Sequence, residues 1–455
     1  MATAVTPGPV VPLPRCPRCG GAATHPPSPA GIRLTPDDDP AAVVHALAGW
    51  LDPLTGVVPA MVMDLQDDGL PIVATSAAPH VVAEDGSLRS LPVGWGKGLT
   101  VAGALVSAVG EAVERYSASL PDPERIVWAA AADLAGDRLD PGRYYTDEQI
   151  GRPGFPYVAY DPAALHPWVE GRWLDTGAPV WVPAVMAYLA LDLKPQNLVC
   201  QGTSNGLAAS TDADDASLRA ILELVERDAF MTTWHTGTAA RRLVINAEMD
   251  PMLLAIIEAV ERLGGAVELH VLSTSACGTT VVAVARGDGV DWPGATIGLG
   301  TDLDPKGAVR QAVLELGQTG PYLRRLLRGG ALTVPSSACE VRTMLDHAAF
   351  YFPAERASAF DVLRSSSAPV TLAELGTGPT RTLEHIAAAL DAAGVRVALV
   401  DVTAADVATG PFRVVRAVSP DLAPLSYGYG LERLPVRRVT MRRPAGQPAP
   451  VHPVW

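Results

Sequence analysis

Three stretches of this chain have the periodicity of buried helices yet carry carboxylates along one side. Residues 107–115 read S-A-V-G-E-A-V-E-R and contain Ser107, Glu111, Glu114 and Arg115. Residues 219–228 read R-A-I-L-E-L-V-E-R-D, with Arg219, Glu223, Glu226, Arg227 and Asp228, and residues 311–318 read Q-A-V-L-E-L-G-Q, with Gln311, Glu315 and Gln318. In each, polar side chains at i, i+4 and i+7 stack on one helical face, and Asp215 extends the second stripe toward its N-terminus. The remaining positions are Ala, Val, Leu, Ile and Gly, so these helices belong inside the protein. Ionised carboxylates are costly there unless cations or metals balance them. A solvated face closed by Glu–Arg pairs would account for one such stripe, but not for two E-x-x-E-R copies and a third stripe in apolar surroundings. If Glu111, Glu114, Glu223, Glu226 and Glu315 converge, magnesium is the natural counter-ion, being a hard cation that takes oxygen ligands and shares them with phosphates. The repetition also points to two similar halves around one site.

A chain of 455 residues has room for two or three domain-sized units. With 35 basic against 49 acidic side chains, the net charge of -14 argues against nucleic acid as the partner, because phosphate neutralisation needs clustered Lys and Arg. The local runs Arg324, Arg325, Arg328 and Arg437, Arg438, Arg442, Arg443 read as solvated faces. No secretory signal opens the chain and no apolar run is long enough to span a membrane. Five cysteines, few and odd in number, fit a reducing cytoplasm better than a disulfide framework. Cys16 and Cys19 form a single C-x-x-C knuckle; His25 could add a third ligand, but zinc wants four. The expectation is a remnant knuckle, or a half-site completed by a partner, rather than zinc bound within this chain alone.

Strand-like runs at Val57–Met63, Pro71–Ala74, Val180–Tyr188, Ala266–Leu272, Thr279–Ala285, Ala295–Gly298 and Arg396–Val402 alternate with helical patterns. Helices are predicted near 99–119, 213–234, 250–263, 306–328 and 381–393, with a short one capped by Asp37-Asp38-Asp39 and running to Leu51. The interleaving predicts an α/β or α+β domain. Three segments are expected: an N-terminal extension over 1–55, a catalytic domain over 56–441, and a Pro-rich, extended arm over 442–455. Two glycine-rich segments precede the acidic helices. Gly94-Trp95-Gly96-Lys97-Gly98 reads as a turn whose backbone approaches phosphate while Lys97 supplies charge, and Gly202-Thr203-Ser204-Asn205-Gly206 offers hydroxyls and an amide to ribose, phosphate or metal-bound water. Neither is a Walker A loop.

Taken in order, Gly-Lys-Gly, S-x-x-x-E-x-x-E-R, T-S-N-G-L-A-A, E-L-V-E-R-D, and G-L-G-T-D-L-D-P followed by E-x-x-Q resemble the YcaO family, over roughly residues 56–455. Leu51-Asp52-Pro53-Leu54-Thr55-Gly56-Val57 and P-L-S-Y-G-Y-G-L-E-R are similar to its azoline-forming branch. The resemblance implies a YcaO-like fold with two pseudo-repeated halves around an ATP and magnesium site. It implies ATP contacts from Lys97, Ser107, Glu111, Arg115, Ser204, Asn205, Asp215 and Arg227, and magnesium held by Glu111, Glu114, Glu223, Glu226 and Glu315. Asp215 stands where the family usually has Glu. Gln311 stands where an Arg is often found, and Arg310 beside it points about 100° away on a helix.

The activity implied is ATP-dependent cyclodehydration of Cys, Ser or Thr in a ribosomally made precursor peptide, giving thiazoline or oxazoline; thioamide or amidine formation would use the same activated amide. A non-catalytic scaffold that binds peptide and partner is the reading from another class. His452 or the carboxylate of Trp455, in a tail that departs from the family's usual P-x-P-x-P ending, is the expected proton acceptor. The resemblance also implies a homodimer and a separate E1-like protein that holds the precursor's leader.

Overall fold

The computed structural model describes residues 38–47, 50–51, 56–64, 69–77, 80–82, 88–140, 145–274, 277–364, 368–433 and 450–455. Cys16, Cys19 and His25, the basic run at 437–443 and most of the N-terminal extension lie outside these residues. The predicted capped helix is present but short, covering Pro40–Ala46, with Asp39 accepting from the Ala41 amide at 3.4 Å.

The principal strands are β1 (Met61–Asp64), β2 (Ile72–Ser76), β3 (Trp95–Gly98), β4 (His166–Trp173), β5 (Pro179–Pro183), β6 (Leu207–Ser210), β7 (Arg241–Leu243), β8 (Ala266–Leu272), β9 (Thr279–Arg286), β10 (Ala295–Asp302), β11 (Ala398–Asp401) and β12 (Arg413–Val418). The principal helices are α1 (Val101–Ser119), α2 (Ala213–Thr236), α3 (Pro251–Arg262), α4 (Pro305–Gly329) and α5 (Leu383–Ala392). Three sheets carry the fold: β1–β2–β3, β7–β8–β9–β10, and β6–β12–β11–β4–β5 continued by Asp137–Arg138. Their ladders are antiparallel except where Asp137–Arg138 joins β5. The α+β alternative therefore describes the sheets better than a parallel α/β order.

Local chemistry sets the helix ends. Thr100 caps α1 by accepting from the Gly103 amide at 3.0 Å. Asp212 caps α2 through the Asp214 and Asp215 amides, and Gly237 closes that helix in the left-handed region (φ 70°). Pro305 stands at the first turn of α4, where its missing N–H costs nothing.

The same helix-on-strand joint is built twice. A Cβ on Gly96 of β3 would lie 2.1 Å from the Ala108 nitrogen of α1, and one on Gly94 would lie 2.2 Å from the Ala108 carbonyl. In β10, a Cβ on Gly298 would lie 2.3 Å from the Ala312 carbonyl of α4, and one on Gly300 2.3 Å from the Ala308 carbonyl. Alternate glycines on the strand thus meet alanines one turn apart on the helix, and the backbones touch. Two halves of one plan follow. This corrects the reading of Gly94–Gly98: Trp95–Gly98 is a strand, and the glycines admit a helix rather than a phosphate.

The helix α2 lies between the halves. Ile221, Leu224 and Val225 pack with Ala208 and Ala417 of the large sheet, and Phe230, Met231 and Trp234 pack with Val282, Val284 and Ile297 of the other. Two further departures from expectation stand out. The run Val180–Tyr188 is a strand only to Pro183, then a helical turn over Ala184–Ala187 whose residues enter the core; a fully apolar run carries no period to separate the two. The strands β4, β6, β7 and β12 were not anticipated, being short or partly charged.

Because the joint has no room for a side chain, Gly96→Val and Gly298→Val are each expected to lower stability by about 3 kcal/mol or more, the upper end for an overpacked core, read as a fall in the denaturant midpoint.

Candidate active site

The apolar sides of α1, α2 and α4 pack on sheets, so their polar stripes are left facing one another. The glutamates predicted to converge do converge, and they are gathered through cations. Arg115 lies 3.1 Å from Glu111 and 3.3 Å from Glu114 along α1; Arg227 lies 3.8 Å from Glu223 and 3.5 Å from Glu226 along α2. From β3, Lys97 Nζ donates to Glu315 Oε2 of α4 at 3.1 Å, joining the two halves. Backbone amides complete the pattern symmetrically, Trp95 N donating to Glu111 at 3.0 Å and Leu299 N to Glu315 at 3.4 Å. Gln318, last in the third stripe, donates to the Trp95 carbonyl at 2.9 Å.

Their mutual influence shows in the carboxyl acidities. Burial pushes Glu114 well above the usual carboxylate range; Arg115 opposes this, while Glu223 and Glu111 add to it. Glu223 is raised by burial against the pull of Arg227, Arg115 and Arg416. Glu226 is raised by burial, with Arg227 opposing and Glu315 and Glu223 reinforcing. Glu315 goes the other way: Lys97 and Arg227 outweigh burial and hold it ionised. Arg115 and Arg227 also resist burial, their adjacent glutamates holding both guanidiniums firmly charged.

Arg416 of β12 was missed. Buried at 5% exposure, it donates to the Thr203 carbonyl at 2.6 Å and opposes the rise of Glu114 and Glu223. The available signal was a cation inside the otherwise apolar run V-V-R-A-V, where a charge needs a reason.

The other predicted residues take several positions. Ser107 is exposed, one turn before Glu111 on the same face of α1. Asn205 is buried beside Gly206, whose φ of 80° turns the chain into β6, and Ser204 is half-buried. Asp215 lies at the N-terminal end of α2, bonded by Ser210 at 2.9 Å and Arg219 at 2.7 Å. Residues 450–455 are packed inside. Trp234 Nε1 donates to the Pro450 carbonyl at 3.0 Å, Tyr351 Oη donates to that of Val451, and His347 Nδ1 donates to that of His452 at 2.8 Å. His452 is buried, stacks on His347 at 4.0 Å and donates through Nε2 to the Ser426 carbonyl at 2.7 Å. Burial, with His347 alongside, holds it well below its ordinary range, hence neutral. Trp455 stacks on Tyr322 at 5.7 Å and meets Trp95 at 5.6 Å, beside Lys97.

These groups fit a magnesium nucleotide. Oxygen-only donors suit magnesium. Asn205 Oδ1 and Thr203 Oγ1 are buried with no hydrogen-bond partner among the described residues. Such orphans are costly unless a ligand satisfies them. Among the described residues no group of three or more acidic, His or Cys side chains forms a ready-made metal cage; the glutamates are engaged by Lys and Arg instead, so a metal would draw them from those partners. No helix among the described residues is long and apolar enough to cross a membrane.

The chain is similar to several known proteins. A protein of Methanothermobacter thermautotrophicus, with no assigned function, is 29% identical over 258 residues, 55% of this chain and 61% of that one. A heterocyclase solved in complex with substrate and cofactor superposes with a TM-score of 0.69 at 20% identity, over 88% of this chain and 53% of its own, so the chain spans about half that enzyme's length. The YcaO protein of Methanopyrus kandleri, bound with AMPPCP and Mg2+, superposes with a TM-score of 0.60 at 24% identity, over 84% and 90% of the two chains. Residues 95–423, from the strand that carries Lys97 to the segment beyond β12, match the family described as YcaO cyclodehydratase, ATP- and Mg2+-binding, and the chain belongs to that family.

Proposed function

We propose that the protein is an ATP- and magnesium-dependent cyclodehydratase that turns Cys, Ser or Thr of a ribosomally made precursor peptide into thiazoline or oxazoline. The observation that carries this reading is the meeting of Glu111, Glu114, Glu223, Glu226 and Glu315 around Lys97, Arg115 and Arg227, in a chain of a cyclodehydratase family. When bound, magnesium and ATP would supply charge neutralisation and the phosphoryl group that makes an amide oxygen leave as phosphate. The glutamates would hold the metal, while Lys97, Arg115 and Arg227 would orient the phosphate chain and stabilise its charge. Asn205 and Thr203 have buried polar atoms left to bond the nucleotide.

Ring closure sheds the nucleophile's proton and the amide nitrogen's, so an acceptor is needed. His452 is neutral, with a depressed basicity and its Nε2 proton committed to Ser426; it serves to anchor the tail. The carboxylate of Trp455, on a residue packed against the strand of Lys97, is the better acceptor. A tail seated there favours azoline formation over thioamidation, which brings in its own nucleophile. The precursor's leader is held by a separate E1-like protein, and the enzyme acts as a homodimer.

With precursor, partner, ATP and magnesium, mass spectrometry should show the loss of one water per ring, abolished by Glu226→Gln. A product carrying sulfur in place of oxygen, formed only with a sulfide source, would give the assignment to thioamidation. Deleting Trp455 should lower kcat by about 10²- to 10⁴-fold, the range for losing a general base, with ATP affinity retained. Full turnover without the partner would remove that part of the proposal.

Magnesium competes with protons for Glu114, Glu223 and Glu226, whose hold on a proton burial strengthens. Carboxyls raised in the folded state favour folding below the unfolded value of about 4.3 and lose that contribution as pH climbs through the raised range. The metal-free protein should therefore lose stability as pH rises into that range. Affinity for magnesium with AMPPCP should rise over the same interval, with protons released. Calorimetry in buffers of different ionisation enthalpy measures both.

A further inference from the structure

The third acidic stripe lacks a cation at its outer end. Gln311 of α4 carries none, and its Nε2 donates to Asp302 Oδ2 at 3.2 Å. A guanidinium reaches the same place from a distant segment. Arg381 Nε lies 3.3 Å from Asp302 Oδ2, and its Nη1 lies 3.0 Å from Asp215 Oδ1, the first carboxylate of the α2 stripe. Asp302 closes β10 and lies on the first turn of α4, where a Cβ on Gly307 would meet its Cγ at 2.8 Å. Arg381 therefore bridges the N-terminal ends of α2 and α4, two of the helices that line the site, level with Gln311 and one turn outside Glu315.

Its position is fixed on both sides. A Cβ on Gly378 would lie 1.8 Å from the Leu303 carbonyl, so the loop backbone rests directly on the turn into α4. Immediately after Arg381, Thr382 caps α5 by accepting from the His385 amide at 3.3 Å. Arg227 and Arg416 are buried among the glutamates, whereas the Arg381 side chain is 34% exposed. It neutralises Asp215 and Asp302, and its planar fork of five donors suits a phosphate oxygen pair.

We propose that Arg381 is a phosphate-positioning residue of this site, supplying from a remote loop the positive charge that the α4 stripe lacks at Gln311. The proposal rests on the nucleotide reading given above.

The test compares binding of AMPPCP with magnesium against binding of adenosine, by calorimetry, alongside thermal melting. Arg381→Ala should weaken AMPPCP about 10- to 100-fold, the loss of one charged hydrogen-bond partner, while adenosine affinity holds. Adding Gln311→Arg to that variant should restore most of the AMPPCP affinity, because the cation returns at the same level of the site. Unchanged AMPPCP affinity in Arg381→Ala would overturn the proposal, as would proportional weakening of both ligands with a lower melting temperature, the mark of a loop staple. If the unsubstituted protein fails to bind AMPPCP with magnesium, the nucleotide reading falls and takes this inference with it.

Discussion

The structure depends on the balance of charge where three helices meet. Five carboxylates, Glu111, Glu114, Glu223, Glu226 and Glu315, face four cations, Lys97, Arg115, Arg227 and Arg416. Removing one partner of a buried pair leaves the other uncompensated and costs more than the pair contributes. Such an arrangement is a poor way to stabilise a fold and a good way to keep a site ready for ions of either sign. Adding a polyphosphate together with divalent metal changes the net charge little, but gives each side chain a stronger partner. The weakened acidity of three glutamates is the cost that the metal-free protein carries.

Sheets and helices serve this meeting. Each half brings a strand with alternate glycines against a helix with alanines one turn apart, so that Lys97 of β3 reaches Glu315 of α4 across the interior. Close backbone contact fixes the height of each helix above its strand more tightly than larger side chains would, since large side chains can repack. The position of the carboxylates is therefore set by residues that carry no chemistry.

Much of this was legible in the residues, and for a physical reason. A helix that is apolar all round except for one stripe announces both burial and a polar partner, so α1, α2 and α4 and their glutamates followed from period and composition alone. Gly94–Gly98 was misread because glycine serves two ends, admitting an anion or admitting a helix, and only the location of Ala104 and Ala108 in space decides. Arg416 and Arg381 were not found because neither belongs to a periodic pattern; each reaches the site by tertiary placement, one from a strand and one from a loop. His452 lay in a segment read as an extended arm with its imidazole as proton acceptor, and its ring is buried against His347.

The tail is held by its main chain. Consecutive carbonyls of Pro450, Val451 and His452 receive bonds from Trp234, Tyr351 and His347, and none of those bonds reads the side chain of the residue it grips. Such a clamp grips backbone and is indifferent to the side chains it holds. Drift in the tail's composition is thereby tolerated, which accommodates an ending that departs from strict proline alternation.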